Sequence, residues 1–226
     1  MAADNSFITN LKENFRRGDI VTRLLYINIG VFLVVTLVNI VLTLFNQPAG
    51  FWTNYLEFPA WWERFIRQPW SLFTYMFMHA NFQHIFFNMF AVWMFGRVLE
   101  QVWGPKRFLF YYILCGIGAG LIQEAVQYTE YLVSWSHYDG VDTGMGVIPM
   151  AEFLNRLNTV GASGAVYAIL LAFGMLFPNS QMFIFPLPMP IKAKYFVIGY
   201  AVLELVLGIA GGDGVAHFAH LGGMLF

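Results

Sequence analysis

Ser163 lies in the stretch TVGASGAVYA, Thr159 to Ala168, with glycines at 161 and 164, at the mouth of an apolar run. A serine hydroxyl becomes a nucleophile when a neighbouring base takes its proton. Two imidazoles that can serve, His217 and His220, stand three residues apart near the end of the chain. His84 and Asn88 are four apart and project from one face of a helix. Both carry donors suited to the oxyanion of an acyl-transfer intermediate. Together these types fit nucleophilic acyl transfer. Singly they say less. Small residues around a serine also let membrane helices pack closely. His217 and His220 could bind a metal, yet no third ligand is evident and no His-Glu-x-x-His is present.

Whether these groups can meet depends on the elements that carry them. Of 226 residues, 58% are hydrophobic and 11% charged, where a soluble domain has about a quarter charged. The chain is therefore a polytopic membrane protein. A net charge of −1 offers nothing to nucleic acid, and the single Cys115 excludes an internal disulfide framework. The first twenty residues are polar and no signal-peptide cleavage pattern follows the first apolar run.

Six apolar stretches predict six spans: 24–45, 70–95, a short third at 108–123, 160–177, 195–210 interrupted by Glu204, and 215–226. A crossing helix takes about twenty residues, so the sixth reads as truncated. The expected fold is all-α, a polytopic membrane helix bundle. Lys12, Arg16, Arg17, Arg23, Arg97, Lys106, Arg107, Lys192 and Lys194 fall on one side, and Arg64, Arg67 and Arg156 on the other. By the positive-inside rule the N-terminus is cytoplasmic. Residues 1–23 then form a cytoplasmic segment and 24–226 the transmembrane domain, with an outer loop insertion at about 124–159. The aromatic outer loop at 46–69, holding Phe51, Trp52, Tyr55, Phe58, Trp61 and Trp62, is expected in the membrane interface. MFIFPLPMPI, 182–191, carries three prolines and reads as a surface-hugging loop.

Span parity places the polar groups. Spans two, four and six all begin outside, so His79, His84, Asn88, Ser163, His217 and His220 share the outer leaflet. Intramembrane polar groups face the bundle interior, and coincident depth in three helices argues for one site. Gly161/Ala165, Gly164/Ala168 and Ala168/Ala172 make a small-residue stripe along span four. Ala216, Ala219, Gly222 and Gly223 offer a matching surface on span six.

Four segments, HANFQHIFFN (79–88), GRVLEQVWG (96–104), GASGAVYA (161–168) and AHFAHLGG (216–223), occur in this order at matching span positions. With them the chain, from about Pro69 onward, resembles the rhomboid family of intramembrane serine proteases. The resemblance implies Ser163 as nucleophile and His220, the histidine followed by Leu-Gly-Gly, as general base. It implies His84 and Asn88 as the oxyanion pair, joined by the Ser163 backbone N–H, and Tyr167 as the aromatic stacked on the catalytic imidazole. The implied activity is hydrolysis of peptide bonds in or near transmembrane segments, without cofactor or metal. Transmembrane proteins are the substrates, lipids the surroundings, and a bacterial inner membrane the location, with the site opening outward.

No carboxylate is placed to orient His220, since Asp213 lies seven residues earlier in a glycine-rich loop. A dyad is therefore expected, with Tyr167 supplying orientation. His79 is read as a hydrogen-bonded structural residue of span two, His217 as an interface residue, and Glu204 as a neutral, hydrogen-bonded structural carboxyl. Arg97 and Glu100 read as an ion-pair or capping cluster, Asp142 to Gly144 (DTG) as a turn, and Gly116 to Gly120 (GIGAG) as helix packing. A catalytically inert rhomboid-like binder of membrane clients is the alternative. A transporter has less support, for no inverted repeat or paired broken helices are visible.

Overall fold

A computed structural model describes residues 2–144, 146–183, 189–211 and 214–226, with side chains from residue 9 onward. In chain order, α1 (Ala2–Arg17) and α2 (Ile20–Leu44) lead to β1 (Phe58–Pro59), α3 (Trp62–Arg67) and α4 (Ser71–Thr74). Then α5 (Phe82–Ala91) continues through a π-type turn (Val92–Gly96) into α6 (Arg97–Trp103), followed by α7 (Pro105–Glu130). The hairpin β2 (Gly140–Asp142) and β3 (Val147–Pro149) precedes α8 (Met150–Arg156) and β4 (Asn158–Thr159). The chain then forms α9 (Ser163–Leu176), β5 (Gln181–Met182), β6 (Ile191–Lys192), α10 (Ala193–Ala210) and α11 (His217–Gly223). The fold is all-α, the strands being short two-residue and three-residue clasps.

Among the described residues three helices are long and apolar enough to cross a membrane: Ile20–Leu44, Pro105–Trp135 and Ala193–Ala210. The protein is an integral membrane protein. The second span differs from the expected 70–95. The helical run begins at Phe82, because the Asn81 side chain accepts from the His84 backbone N–H at 2.8 Å and caps it there. From Phe82 it is continuous to Trp103. The third span is not short. Its helix passes Gln123 and runs to Glu130, then through a π-type turn to Trp135, so the expected outer loop at 124–159 starts as helix. Asp142 turns the β2–β3 hairpin by accepting from the Gly144 N–H at 2.9 Å.

α9 has 14 residues, about 21 Å of helix at 1.5 Å per residue, less than the ~30 Å hydrocarbon thickness. A non-helical segment, residues 157–162, precedes it. Non-helical backbone is tolerated at such depth only where protein satisfies its polar groups. Here Phe58 pairs with Thr159 and Pro59 with Asn158, Ala60 N donates to Leu157 O at 2.9 Å, and Gly161 N donates to Tyr75 O at 2.9 Å. Phe58 is accordingly a core residue, fully buried edge-on to Phe65 at 5.2 Å, and not an interface residue. Arg64 fastens the same clasp, donating to Asn155 O at 2.8 Å and Asn158 Oδ1 at 2.9 Å.

The start of α2 is fixed by Glu100. Its Oε1 accepts from Ile20 N at 2.8 Å and its Oε2 from Val21 N at 3.0 Å. Asp19 caps the next donor, Thr22 N, at 2.7 Å. Three of the first amides of α2 are thus satisfied by carboxylates, as a buried helix start requires. Arg97 stands 3.6 Å from Asp19.

The small residues do pack. A Cβ on Gly164 would lie 2.3 Å from Ala119 Cβ, and one on Gly223 would lie 1.9 Å from Gly164 O. α7, α9 and α11 are therefore in backbone contact. Gly116 lies against Met76 and Gly120 against Leu72, so the glycines of α7 serve packing. The core joins α7 and α9 to α2 and α5 through Val21, Ile85, Met89, Phe108, Tyr112 and Ile169, with Tyr75 and Met76 from the segment before α5. Of the Pro-rich 182–191 stretch, residues 184–188 lie outside the described residues, while its flanks pair as β5–β6.

Candidate active site

Ser163 is the first residue of α9, where the leading amides receive no side-chain cap. Such amides are donors aimed along the helix axis toward an anion. The chain reaches this position through Gly161 at φ 128°, a conformation L side chains rarely adopt. A Cβ there would also stand 2.7 Å from His84 Nε2 and 3.5 Å from Ser163 Oγ. Glycine thus keeps open the gap between the serine and the His84 ring.

Across the close α9–α11 contact, His220 Nε2 lies 2.8 Å from Ser163 Oγ. Tyr167, one turn past Ser163, stacks on the His220 imidazole with centroids 4.4 Å apart and planes 8° from parallel. His84 Nδ1 accepts from Ala80 N at 3.4 Å, which leaves the proton on Nε2, the nitrogen beside Gly161. Asn88 is buried and gives one amide proton to His84 O at 2.9 Å. His84, Asn88, Ser163, Tyr167 and His220 are therefore gathered at one end of the bundle. His79 lies outside any helix, in the break at residues 78–81, with its ring edge-on to His84 at 5.1 Å. It also lines a cavity of about 670 Å³ between α2 and the segments at 78–81 and 156–160.

The expectation that no carboxylate orients His220 is wrong. Glu204 Oε2 lies 2.8 Å from His220 Nδ1. The same oxygen lies 2.6 Å from His217 Nδ1, and the Tyr167 hydroxyl donates to Oε1. Glu204 is buried, and His217, expected at the interface, is buried with it. The missing third metal ligand is also present, since Glu204, His217 and His220 converge. Their separations of 2.6 and 2.8 Å are hydrogen-bond lengths. Depth was the available signal: by the same count of spans, span five would run outward and Glu204 would fall in its outer half, level with Ser163. Asp213, weighed as an orienting group, lies outside the described residues.

The Rhomboid domain family model matches residues 66–226. Rhomboid protease AarA of Providencia stuartii is 30% identical over 171 residues, covering 73% of this chain and 53% of that protein. Rhomboid-like protein 11, chloroplastic, of Arabidopsis thaliana is 28% identical over 222 residues, 93% of this chain and 63% of its own. RHOMBOID-like protein 12, mitochondrial, from the same plant is 28% identical over 155 residues, 68% and 43% respectively. The chain spans about half the length of the curated relatives it matches. With the domain match extending over the helices that carry Ser163, His220 and their neighbours, this chain belongs to the rhomboid family.

Proposed function

We propose that the protein is an intramembrane serine endopeptidase acting on transmembrane protein substrates. The observation that carries this reading is the 2.8 Å approach of Ser163 Oγ to His220 Nε2 beneath the Tyr167 ring. Ser163 Oγ attacks the scissile carbonyl carbon while its proton passes to His220 Nε2. The oxyanion forms beside His84 Nε2–H, the Asn88 amide and the Ser163 backbone N–H. His220 then returns the proton to the leaving amine, and a water, activated by the same imidazole, releases the acyl group. Serine proteases on unrelated folds use the same roles. The domain comprises residues 24–226, with an N-terminal segment before it.

The basic-residue bias supports a cytoplasmic N-terminus and a site opening outward. It fits a bacterial inner membrane. Two of the relatives are named mitochondrial and chloroplastic.

The test is cleavage of a single-span model substrate in liposomes by the whole chain and by Ser163→Ala. Cleavage that vanishes in the variant, with wild-type Ser163 labelled by a fluorophosphonate, is the expected result. Equal cleavage by both removes the serine mechanism. Substrate binding with neither cleavage nor labelling would identify an inert client binder.

A further inference from the structure

We propose that Glu204 is the positioning residue of a Ser163–His220–Glu204 triad, held in place by His217 and Tyr167. The proposal rests on the serine-protease reading and deepens it. An ionised carboxylate only accepts hydrogen bonds. Oε2 faces the Nδ1 atoms of His220 and His217 at 2.8 and 2.6 Å, and Oε1 takes the Tyr167 hydroxyl. Nδ1 of His220 must then carry a proton. Its Nε2 is left with the lone pair, and that nitrogen is the one 2.8 Å from Ser163 Oγ. The carboxylate thereby selects the tautomer able to act as a base.

Location separates this role from simple structural polarity. A carboxyl in a membrane helix is costly unless it is partnered. The three groups around Glu204 come from α9 and α11, the helices that bear Ser163 and His220. Each is either His220 itself or a residue whose ring contacts it: Tyr167 stacks at 4.4 Å and His217 stands edge-on at 6.1 Å. α10 buries Ala193, Val197 and Glu204 and leaves Ile198, Val202, Leu205 and Ile209 exposed. Its polar contribution to the interior is thus concentrated on the catalytic imidazole.

Proton accounting is simple. During attack the Ser163 proton moves to His220 Nε2, the Nδ1 proton stays on the ring, and Glu204 stays ionised. The imidazolium so formed faces a carboxylate that is 5% exposed, where little water screens the pair. His217 and Tyr167 occupy further acceptor sites and keep the carboxylate from rotating away.

The test uses the whole chain in liposomes with a single-span substrate, and reads kcat, KM, melting temperature and fluorophosphonate labelling rate per folded molecule. Glu204→Gln keeps the shape but offers an amide donor that favours the wrong tautomer. The expected fall in kcat is about 10²–10⁴-fold, by analogy with the aspartate of Ser-His-Asp enzymes. KM should stay within about threefold, and Ser163 labelling should slow with kcat. Glu204→Asp withdraws the carboxylate by one methylene and should fall between wild type and Glu204→Gln. A folded Glu204→Gln enzyme with turnover within about threefold of wild type would overturn the triad. So would a loss that appears only as lowered melting temperature while labelling per folded molecule is unchanged. If Glu204→Gln does not fold, full turnover by Glu204→Asp overturns it instead. Ser163→Ala is run alongside. Residual cleavage there rejects the serine mechanism, whereas an inactive Ser163→Ala beside a fully active Glu204→Gln rejects the triad alone.

Discussion

His217 and His220 look alike in the sequence, and the structure gives them different neighbours. Only His220 reaches Ser163, while both meet Glu204. His220→Ala should therefore abolish turnover, and His217→Ala should keep far more of it. Initial cleavage rates at equal folded protein decide the order; the reverse order would exchange the two assignments. The oxyanion donors make a second case. Loss of one such donor costs on the order of 10²–10³ in rate, and in the proposed mechanism His84 and Asn88 share the task. Asn88→Ala should be impaired, and His84→Ala with Asn88→Ala impaired more deeply; a double variant with normal kcat would place both outside the reaction. The candidate site residues, which the structure gathers, were legible as a group because each sits in a short motif whose spacing has a mechanical meaning. Ser163 opens a helix lined with small residues, and His84 and Asn88 share a face. Glu204 was missed as an orienting group because it lies 16 residues before His220 on another helix. Local spacing carries no trace of that contact, although span parity does.

At the scale of elements, hydropathy blurred what capping defines. Residues 70–95 carry no Asp, Glu, Lys or Arg and read as one largely apolar stretch, yet the chain breaks at 78–81 and restarts at Asn81. An asparagine before an apolar run is a helix-start signal, but it is faint beside a long hydrophobic stretch. The third span erred the other way. Gln123, Glu124 and Gln127 are polar, but a helix need not stop at the hydrocarbon boundary, and α7 continues past them. The Arg97/Glu100 cluster fared better, since capping was one of its two readings. Glu100 reaches from α6 to the N-terminus of α2, an element 80 residues away in sequence. Glu100→Gln keeps one acceptor and leaves a buried amide of Ile20 or Val21 unpaired, which costs about 1–3 kcal/mol. At about 2–4 °C per kcal/mol for a chain of this size, the melting temperature should fall by several degrees. Activity per folded molecule at low temperature should hold. A variant with unchanged melting temperature would show that the cap contributes nothing.

The whole molecule poses the problem of access. The site is enclosed by α5, α9, α10 and α11, yet the proposed substrate is itself a helix in lipid. Its peptide bonds are tied up in helical hydrogen bonds that have no water to replace them in the bilayer. The substrate must therefore enter from the side and unwind locally. α10 is the candidate element for that opening. It packs on α9 and α11 while presenting Ile198, Val202, Leu205 and Ile209 outward. Phe196 meets Tyr200 at 4.7 Å, and Tyr200 meets Tyr167 at 6.1 Å, so aromatic contacts link α10 to the site. The segment 209–215 is glycine-rich in sequence, with Gly211 and Gly214 at positive φ; its residues 212 and 213 lie outside the described residues. Phe196→Ala, which loosens α10 without removing a reacting group, should preserve or raise turnover. Substrates with a small residue at the scissile position and Gly or Pro just beyond it should be cut faster than uninterrupted Leu spans, because helix interior costs about 1 kcal/mol more for Gly and about 3 for Pro than for Ala. Cleavage rates across a substrate series graded in this way check the unwinding step, and a covalent cross-link between α10 and α5 checks the lateral route. The cross-linked enzyme should lose membrane substrates and keep Ser163 labelling by a small fluorophosphonate. Equal rates for stiff and weakened spans, with full activity after cross-linking, would show that substrate reaches Ser163 some other way.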